Sequence, residues 1–113
     1  MPRTDSLQGS LDLLVLKTLS RRPRLHGYAL MAAIHDVSRD VLRVEEGSLY
    51  PALHRLEKKG WLKAEWGLSE ANQRAKFYKL TATGKAQLSR EQDRWSLLVN
   101  AIGRIMNPVP GKD

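Results

Sequence analysis

The stretch EEGSLYPALHRLEKKGWLKAEW, residues 45–66, changes its period half-way along. Leu49, Leu53 and Leu56, with Ala52, recur at the spacing of one helix face, whereas from Trp61 onward Leu62, Ala64 and Trp66 alternate with Trp61, Lys63 and Glu65, the period of a strand. Gly60 follows Lys58 and Lys59 at the junction, as a helix stop does. Ser48 is the expected N-cap, with Pro51 in the first turn, where a missing amide proton costs nothing. A helix N-terminus carries unpaired amides and a partial positive charge that suit phosphate oxygens, and Ser48 and Tyr50 add hydroxyls there. Tyr50, His54, Arg55 and Lys58 are left over from the apolar stripe and are expected to point outward. His54 and Arg55 are long enough to reach base edges. The segment thus predicts a helix that presents its polar face and runs into a hairpin.

Two helices precede it. In SLDLLVLKTLSRR, Ser10 is the expected cap, Leu11, Leu14, Val15 and Leu19 form a stripe, and Pro23 ends the run. HGYALMAAIHDVS follows, with Gly27 letting the backbone turn and Leu30, Ala33, Ile34 and Val37 on the buried face. Residues 38–46 show no helical stripe, and VLRV within them reads as a short strand. After residue 66, GLSEANQR is expected as an exposed hairpin tip, and AKFYKLT as the return strand with Tyr78 and Leu80 on one face. TATGKAQLSREQDRWSLLVNAIGRIM then predicts a helix about 37 Å long, stopped by Asn107 and Pro108. The fold class expected is mainly α with a small β-hairpin: a winged helix-turn-helix over residues 1–81, a long C-terminal dimerisation helix over 82–107, and a frayed tail over 108–113. In a winged helix-turn-helix the third helix enters the major groove, and the hairpin lies against the adjacent backbone.

Composition narrows the function. Of 113 residues, 19 are Lys or Arg against 12 Asp or Glu, a formal net charge of +7, which favours a polyanionic partner. Lys58, Lys59 and Lys63 precede the hairpin tip and Arg74, Lys76 and Lys79 follow it, so helix and wing are expected to form one basic footprint on double-stranded DNA. Cysteine is absent, which excludes disulfides and thiolate metal sites and fits a cytoplasmic protein. No apolar run approaches the roughly 20 residues of a membrane span, and the N-terminus lacks the apolar region of a secretory signal. There is no Gly-rich phosphate loop, nucleophile elbow or acid–base pair, so no enzyme and no cofactor is expected. His26, His35 and His54 lie on separate elements without paired carboxylates, so no metal site is expected either.

Three separated motifs in this order, HGYAL, GSLYPALHRLEKKGWL and YKLTATGK, resemble those of the PadR family of bacterial transcriptional regulators, over about Leu7 to Leu88. The resemblance implies a dimeric repressor, many of whose relatives sense phenolic acids or other aromatic compounds. It also implies that Tyr28, Ser48 and Tyr50 contact DNA. With the residue reading, the expected DNA-binding set is Tyr28, Ser48, Tyr50, His54, Arg55, Lys58, Lys63, Arg74 and Lys76. The alternative from another class is a winged-helix adaptor between proteins. It would carry an apolar or mixed-charge third helix, where this one has Tyr50, His54, Arg55 and Lys58 against Glu57. RNA binding would need an aromatic sheet platform, which the sequence lacks.

The last helix carries the partner reading. Leu88, Trp95, Leu98, Val99, Ile102, Ile105 and Met106 make a stripe too long for a three-helix core to cover, and an exposed stripe is an aggregation liability. A homodimer through this helix is expected, with part of the stripe folding back on the first helix. Such a dimer reads a palindromic operator whose half-sites lie about 34–36 Å apart or a multiple of it. Trp95, in mid-seam, reads first as a residue that fills the seam; the alternative is that Trp95 and its copy across the two-fold axis leave a slot that binds a small aromatic effector.

Overall fold

The computed structural model describes the backbone of residues 3–108 and the side chains of residues 10–108. The element order is α1 (Arg3–Arg21), β1 (Leu25–His26), α2 (Gly27–Val37), α3 (Glu46–Lys58), β2 (Leu62–Leu68), β3 (Arg74–Leu80) and α4 (Ala82–Met106). Helices α1, α2 and α3 pack around Val15, Leu16, Leu19, Leu30, Leu49, Leu53 and Leu56, all fully buried. Leu62, Tyr78 and Leu88 close that core from the hairpin and the start of α4. This is the winged helix-turn-helix expected, with its long terminal helix.

Local chemistry moves several boundaries. Helix α1 begins at Arg3, so Ser10 lies inside it and caps nothing. The short strand is Leu25–His26 and not VLRV. It pairs antiparallel with β3 through Leu25 opposite Tyr78, making a three-stranded sheet of order β1-β3-β2. Amides of the VLRV region go to the end of α2 and its C-cap instead: Val41 N donates to Ser38 O at 3.1 Å, Leu42 N to Ser38 Oγ at 3.0 Å and Val44 N to His35 Nε2 at 3.0 Å. Val37, expected in the core, is 83% exposed at the end of α2. Helix α2 is capped by His26, whose Nδ1 accepts from Ala29 N at 3.2 Å. Two of the three histidines therefore serve as hydrogen-bond acceptors for the backbone.

Helix α3 starts two residues before Ser48, with Glu45 at the N-cap and no side-chain cap bond. Ser48 consequently sits in the first turn, and Pro51 lies sixth in the helix. There its missing amide leaves the Gly47 carbonyl without its helical donor. Gly47 is exposed, so water can serve that carbonyl. The hairpin tip is shorter than expected, because Gly67, Leu68 and Arg74 extend the strands. Ser69 N donates to Gln73 O at 2.8 Å across the five-residue tip, and Asn72 supplies the left-handed residue with φ of 62°.

A latch joins the wing to α4. Gly60 ends α3 with φ of 80°, a conformation glycine adopts freely. Thr81 Oγ1 donates to the Gly60 carbonyl at 2.7 Å and Thr83 Oγ1 to the same oxygen at 3.0 Å. Thr81 also caps α4, accepting from Gly84 N at 2.9 Å. A Cβ at Gly84 would overlap the carbonyl oxygen of Trp61, so only glycine lets α4 start this close to the α3–β2 turn.

Only Gly84, Gln87 and Leu88 of α4 are buried. Leu88, expected in the seam, belongs to the core of the body. Trp95, Leu97, Leu98, Val99, Ile102, Ile105 and Met106 are exposed. Residues 109–113, most of the expected frayed tail, lie outside the described residues.

Candidate nucleic-acid interface

At 3.6 residues per turn, the polar residues of α3 divide into three rows. Gly47, Pro51, His54 and Lys58 face outward and all are exposed. Tyr50 and Glu57 turn toward the wing. Ser48 and Arg55 turn the other way, toward α1. The single outward face expected from the sequence is thus three edges with different neighbours.

The wing-side edge, through Tyr50, closes a cleft of about 670 Å³ between the N-terminal end of α2 and the inner face of the hairpin. Tyr28, Tyr50, Trp66, Arg74 and Lys76 line it, with Tyr78 at its base. Tyr28, 70% exposed, stands at the mouth. The Tyr50 ring lies directly over Gly27, where an added Cβ would come within 2.7 Å of the ring carbons. Gly27 is there to admit Tyr50 as much as to turn the chain. Burial, with Glu46 nearby, raises the Tyr50 pKa, so the hydroxyl keeps its proton and stays a donor at neutral pH.

On the wing, pleat alternation sorts the cations. Trp66 opposes Lys76 and Leu68 opposes Arg74, all on the cleft face, whereas Lys63 opposes Lys79 on the outer face. The Arg74 guanidinium lies 4.5 Å from the Trp66 ring centre, which holds its plane while leaving its hydrogen-bonding edge toward solvent. Lys76 Nζ is 3.2 Å from Glu57 of α3, so it ties wing to helix as well as lining the cleft. On the outer face, Arg24 stacks 3.8 Å from the Phe77 ring centre and bonds Glu65 at 2.7 Å. That bond, helped by Lys79, holds the Glu65 carboxyl below its ordinary pKa.

The expected site residues are therefore only partly together. Tyr28, Tyr50, Arg74 and Lys76 share the cleft, and His54 and Lys58 continue it along the exposed row of α3. Lys63 is on the opposite face of the wing, so the basic residues do not form the one footprint expected. Ser48 lines a different groove. Arg55, expected at the exposed middle of α3, instead bonds Asp12 of α1 at 2.6 Å, with side chains 33% and 19% exposed respectively. Trp66, Ser69 and Gln73 line the cleft without having been singled out. Trp66 has the parity of Leu62 and Ala64 but lies beyond the core's edge, which was the available signal.

The second groove, about 920 Å³, runs between α1, the α2–α3 loop and α4. Leu13, Leu14, Leu42, Val44 and Trp95 form its apolar wall, and Lys17, Arg21 and Ser48 also line it. Trp95 is 50% exposed.

Residues 15–90 match the model of the transcriptional regulator PadR-like family. The chain belongs to the PadR family. A protein designated X from Lysinibacillus sphaericus is 30% identical over 94% of this chain and 96% of its own. Among solved structures, a PadR family transcriptional regulator from Eggerthella lenta superposes with a TM-score of 0.75 at 30% identity, covering 94% of this chain and 90% of that one. A transcriptional regulator from Clostridium thermocellum gives 0.78 at 27% identity, covering 88% and 96%. This PadR-family chain is thus a DNA-binding transcriptional regulator and not an enzyme. Two of its family motifs have structural work: HGY makes room for Tyr50, and LTATGK forms the latch on Gly60. Among the described residues, no three His, Asp or Glu side chains cluster as a metal site, and no helix is long and apolar enough to cross a membrane.

Proposed function

We propose that this PadR-family protein is a dimeric repressor that binds a palindromic operator and is released by a small aromatic ligand. The observation that carries the DNA reading is the cleft where Tyr28, Tyr50, Arg74 and Lys76 converge between the α2 N-terminus and the wing. Hydroxyl donors, cations and helix-end amides are the groups that hold a phosphate backbone. His54 and Lys58, exposed on the outward row of α3, would be the side chains that meet base edges. Ser48 contributes a phosphate contact from the first turn of α3, and Lys63 a peripheral one from the outer face of the wing.

The exposed half of α4 supports the dimer. Burying one Leu, Ile, Val or Met side chain stabilises by about 1.5–3 kcal/mol, so a seam of Leu98, Val99, Ile102, Ile105 and Met106 supplies ample drive for a second copy. Two α3 helices then reach half-sites about 34–36 Å apart, or a multiple. The groove beside Trp95 supports the ligand reading: it is apolar, indole-walled and bordered by Lys17 and Arg21, which suits a flat, weakly acidic aromatic molecule. Such a ligand would shift the population toward wing spacings that do not fit the operator.

Fluorescence anisotropy with duplexes selected from a random pool tests the DNA reading. A dimer making about six to ten phosphate contacts loses about 10³-fold or more in affinity between roughly 50 and 200 mM salt. Salt-independent or absent duplex binding would refute it. Titrating phenolic acids against tryptophan emission, with Trp95→Leu as control, tests the ligand. Binding that survives Trp95→Leu unchanged would make Trp95 merely structural.

A further inference from the structure

Arg55 is the one cation in the middle of α3 that does not face outward, and its partner belongs to another helix. Its Nη2 donates to Asp12 Oδ1 of α1 at 2.6 Å, across 43 positions of sequence. Asp12 is the more buried of the two. Lys59, the C-cap of α3, and Glu91 of α4 lie within electrostatic range of the Asp12 carboxylate. Glu91 is itself held by α4 neighbours, accepting from Gln87 Nε2 at 2.7 Å and from Arg94 at 3.3 Å. The ion pair thus joins α3, which carries the outward row, to α1, and the Glu91 carboxylate on α4 lies near enough to disfavour the Asp12 charge.

Leu49, Ala52, Leu53 and Leu56, all fully buried, fix the gross rotation of α3. The Arg55–Asp12 bond adds a directional contact on the edge beside that stripe. Without it the leucines stay buried, but α3 is freer to shift slightly on α1, which alters how His54 and Lys58 meet the groove. A guanidinium already committed to Asp12 is also a poor candidate to read a base, since it would first have to abandon a partly desolvated carboxylate.

From this geometry we infer that Arg55 is a positioning residue: within the rotation its leucines fix, the ion pair with Asp12 trims the seating of α3 on α1, and so the operator discrimination of the outward row. The inference rests on the DNA reading above. It makes Asp12, 36 residues before Ser48 in the chain and outside the DNA-facing surface, a determinant of specificity.

The test uses the full-length protein, with a duplex selected by the wild type from a random pool and a scrambled duplex of equal length. Affinities for both are measured for wild type, Arg55→Ala, Asp12→Ala, the double variant, and the swap Asp12→Arg with Arg55→Asp. Urea unfolding first establishes that each is folded under the binding conditions. The expected result is a loss of the selected-to-scrambled ratio of about 2- to 30-fold in either single variant, no greater loss in the double variant, and partial recovery in the swap. Asp12→Ala that preserves or improves the ratio while Arg55→Ala lowers it would overturn the proposal and return Arg55 to base reading. Variants that shift only the urea midpoint, with the ratio unchanged, would overturn it in favour of a purely structural pair. A wild type that selects no duplex would overturn the DNA reading itself, and this inference with it.

Discussion

Gly27→Ala separates packing in the cleft from helix propensity. The added methyl would overlap the Tyr50 hydroxyl and come within 2.7 Å of its ring carbons, far inside ordinary carbon contact. Overpacking of this kind costs about 1–3 kcal/mol, whereas the propensity gain of alanine over glycine, about 0.5–1 kcal/mol in mid-helix, is at most that at Gly27, the first residue of α2. Tyr50 is part-exposed and can swing outward, so the net destabilisation should fall near the lower end, about 1 kcal/mol. In a Tyr50→Ala background the clash disappears and only the propensity gain remains, so Gly27→Ala should there be neutral or stabilising. The measurement is a double-mutant cycle from urea midpoints at one fixed protein concentration, and the coupling expected is about 1–3 kcal/mol. Duplex affinity of Gly27→Ala should drop by about as much as that of Tyr50→Ala, because both remove the tyrosine from its place. An equal cost for Gly27→Ala in both backgrounds would refute the reasoning and leave backbone freedom as the reason for the glycine.

Other expectations follow from single contacts. Gly84→Ala forces a methyl into the Trp61 carbonyl, which is backbone and cannot swing away; a loss of about 2–3 kcal/mol, read as a fall in Tm of roughly 10–15 °C, is expected, and an unchanged Tm would show that the latch is loose. Leu98→Asp with Ile102→Asp should convert a dimer to a monomer by sedimentation and weaken operator binding without changing the helical content of the body. Because Arg24 and Lys79 depress the Glu65 pKa, the stability this carboxylate contributes is present above the ordinary carboxylate pKa and disappears as pH falls through its lowered value. The difference in stability between wild type and Arg24→Ala should therefore shrink on acidification, and a difference that persists into strong acid would assign Arg24 to its stacking on Phe77 alone.

The order of elements was legible because the leucines of α3 and the alternation of residues 61–66 have different periods, and nothing in the tertiary structure opposes either. Strand β1 was not legible, since two residues carry no period; it exists only because β3 offers Leu25 an edge. The orientation of Arg55 was partly legible. One position after His54 on a helix is a rotation of about 100°, and Ser48, Arg55 and Lys59 share an edge by that rule. What no spacing could reveal is that Asp12, on a helix read separately, waits opposite that edge. Lys63 is similar: its parity against Trp66 was plain, but which side of the hairpin faces α2 and α3 depends on Leu62 and Tyr78 entering the core together. Trp95 was found as an exposed seam residue, while its groove needs Leu13, Leu14 and Val44 from two other segments.

The packing of α1 against α4 has a bearing on how the molecule is made. Helix α1 leaves the ribosome well before α4, which supplies Leu88 to the same core as Leu11 and Val15. The three helices and the wing can assemble as they emerge, but one flank of α1 stays uncovered until α4 has emerged as well. Closure thus depends on contacts between segments far apart in sequence, which are the slowest kind to form. During synthesis, Leu13 and Leu14 are the apolar surface left to meet a chaperone or another nascent copy. A regulator translated by clustered ribosomes from one message would then find its own kind nearby at the moment when that flank and the fresh seam of α4 are both open.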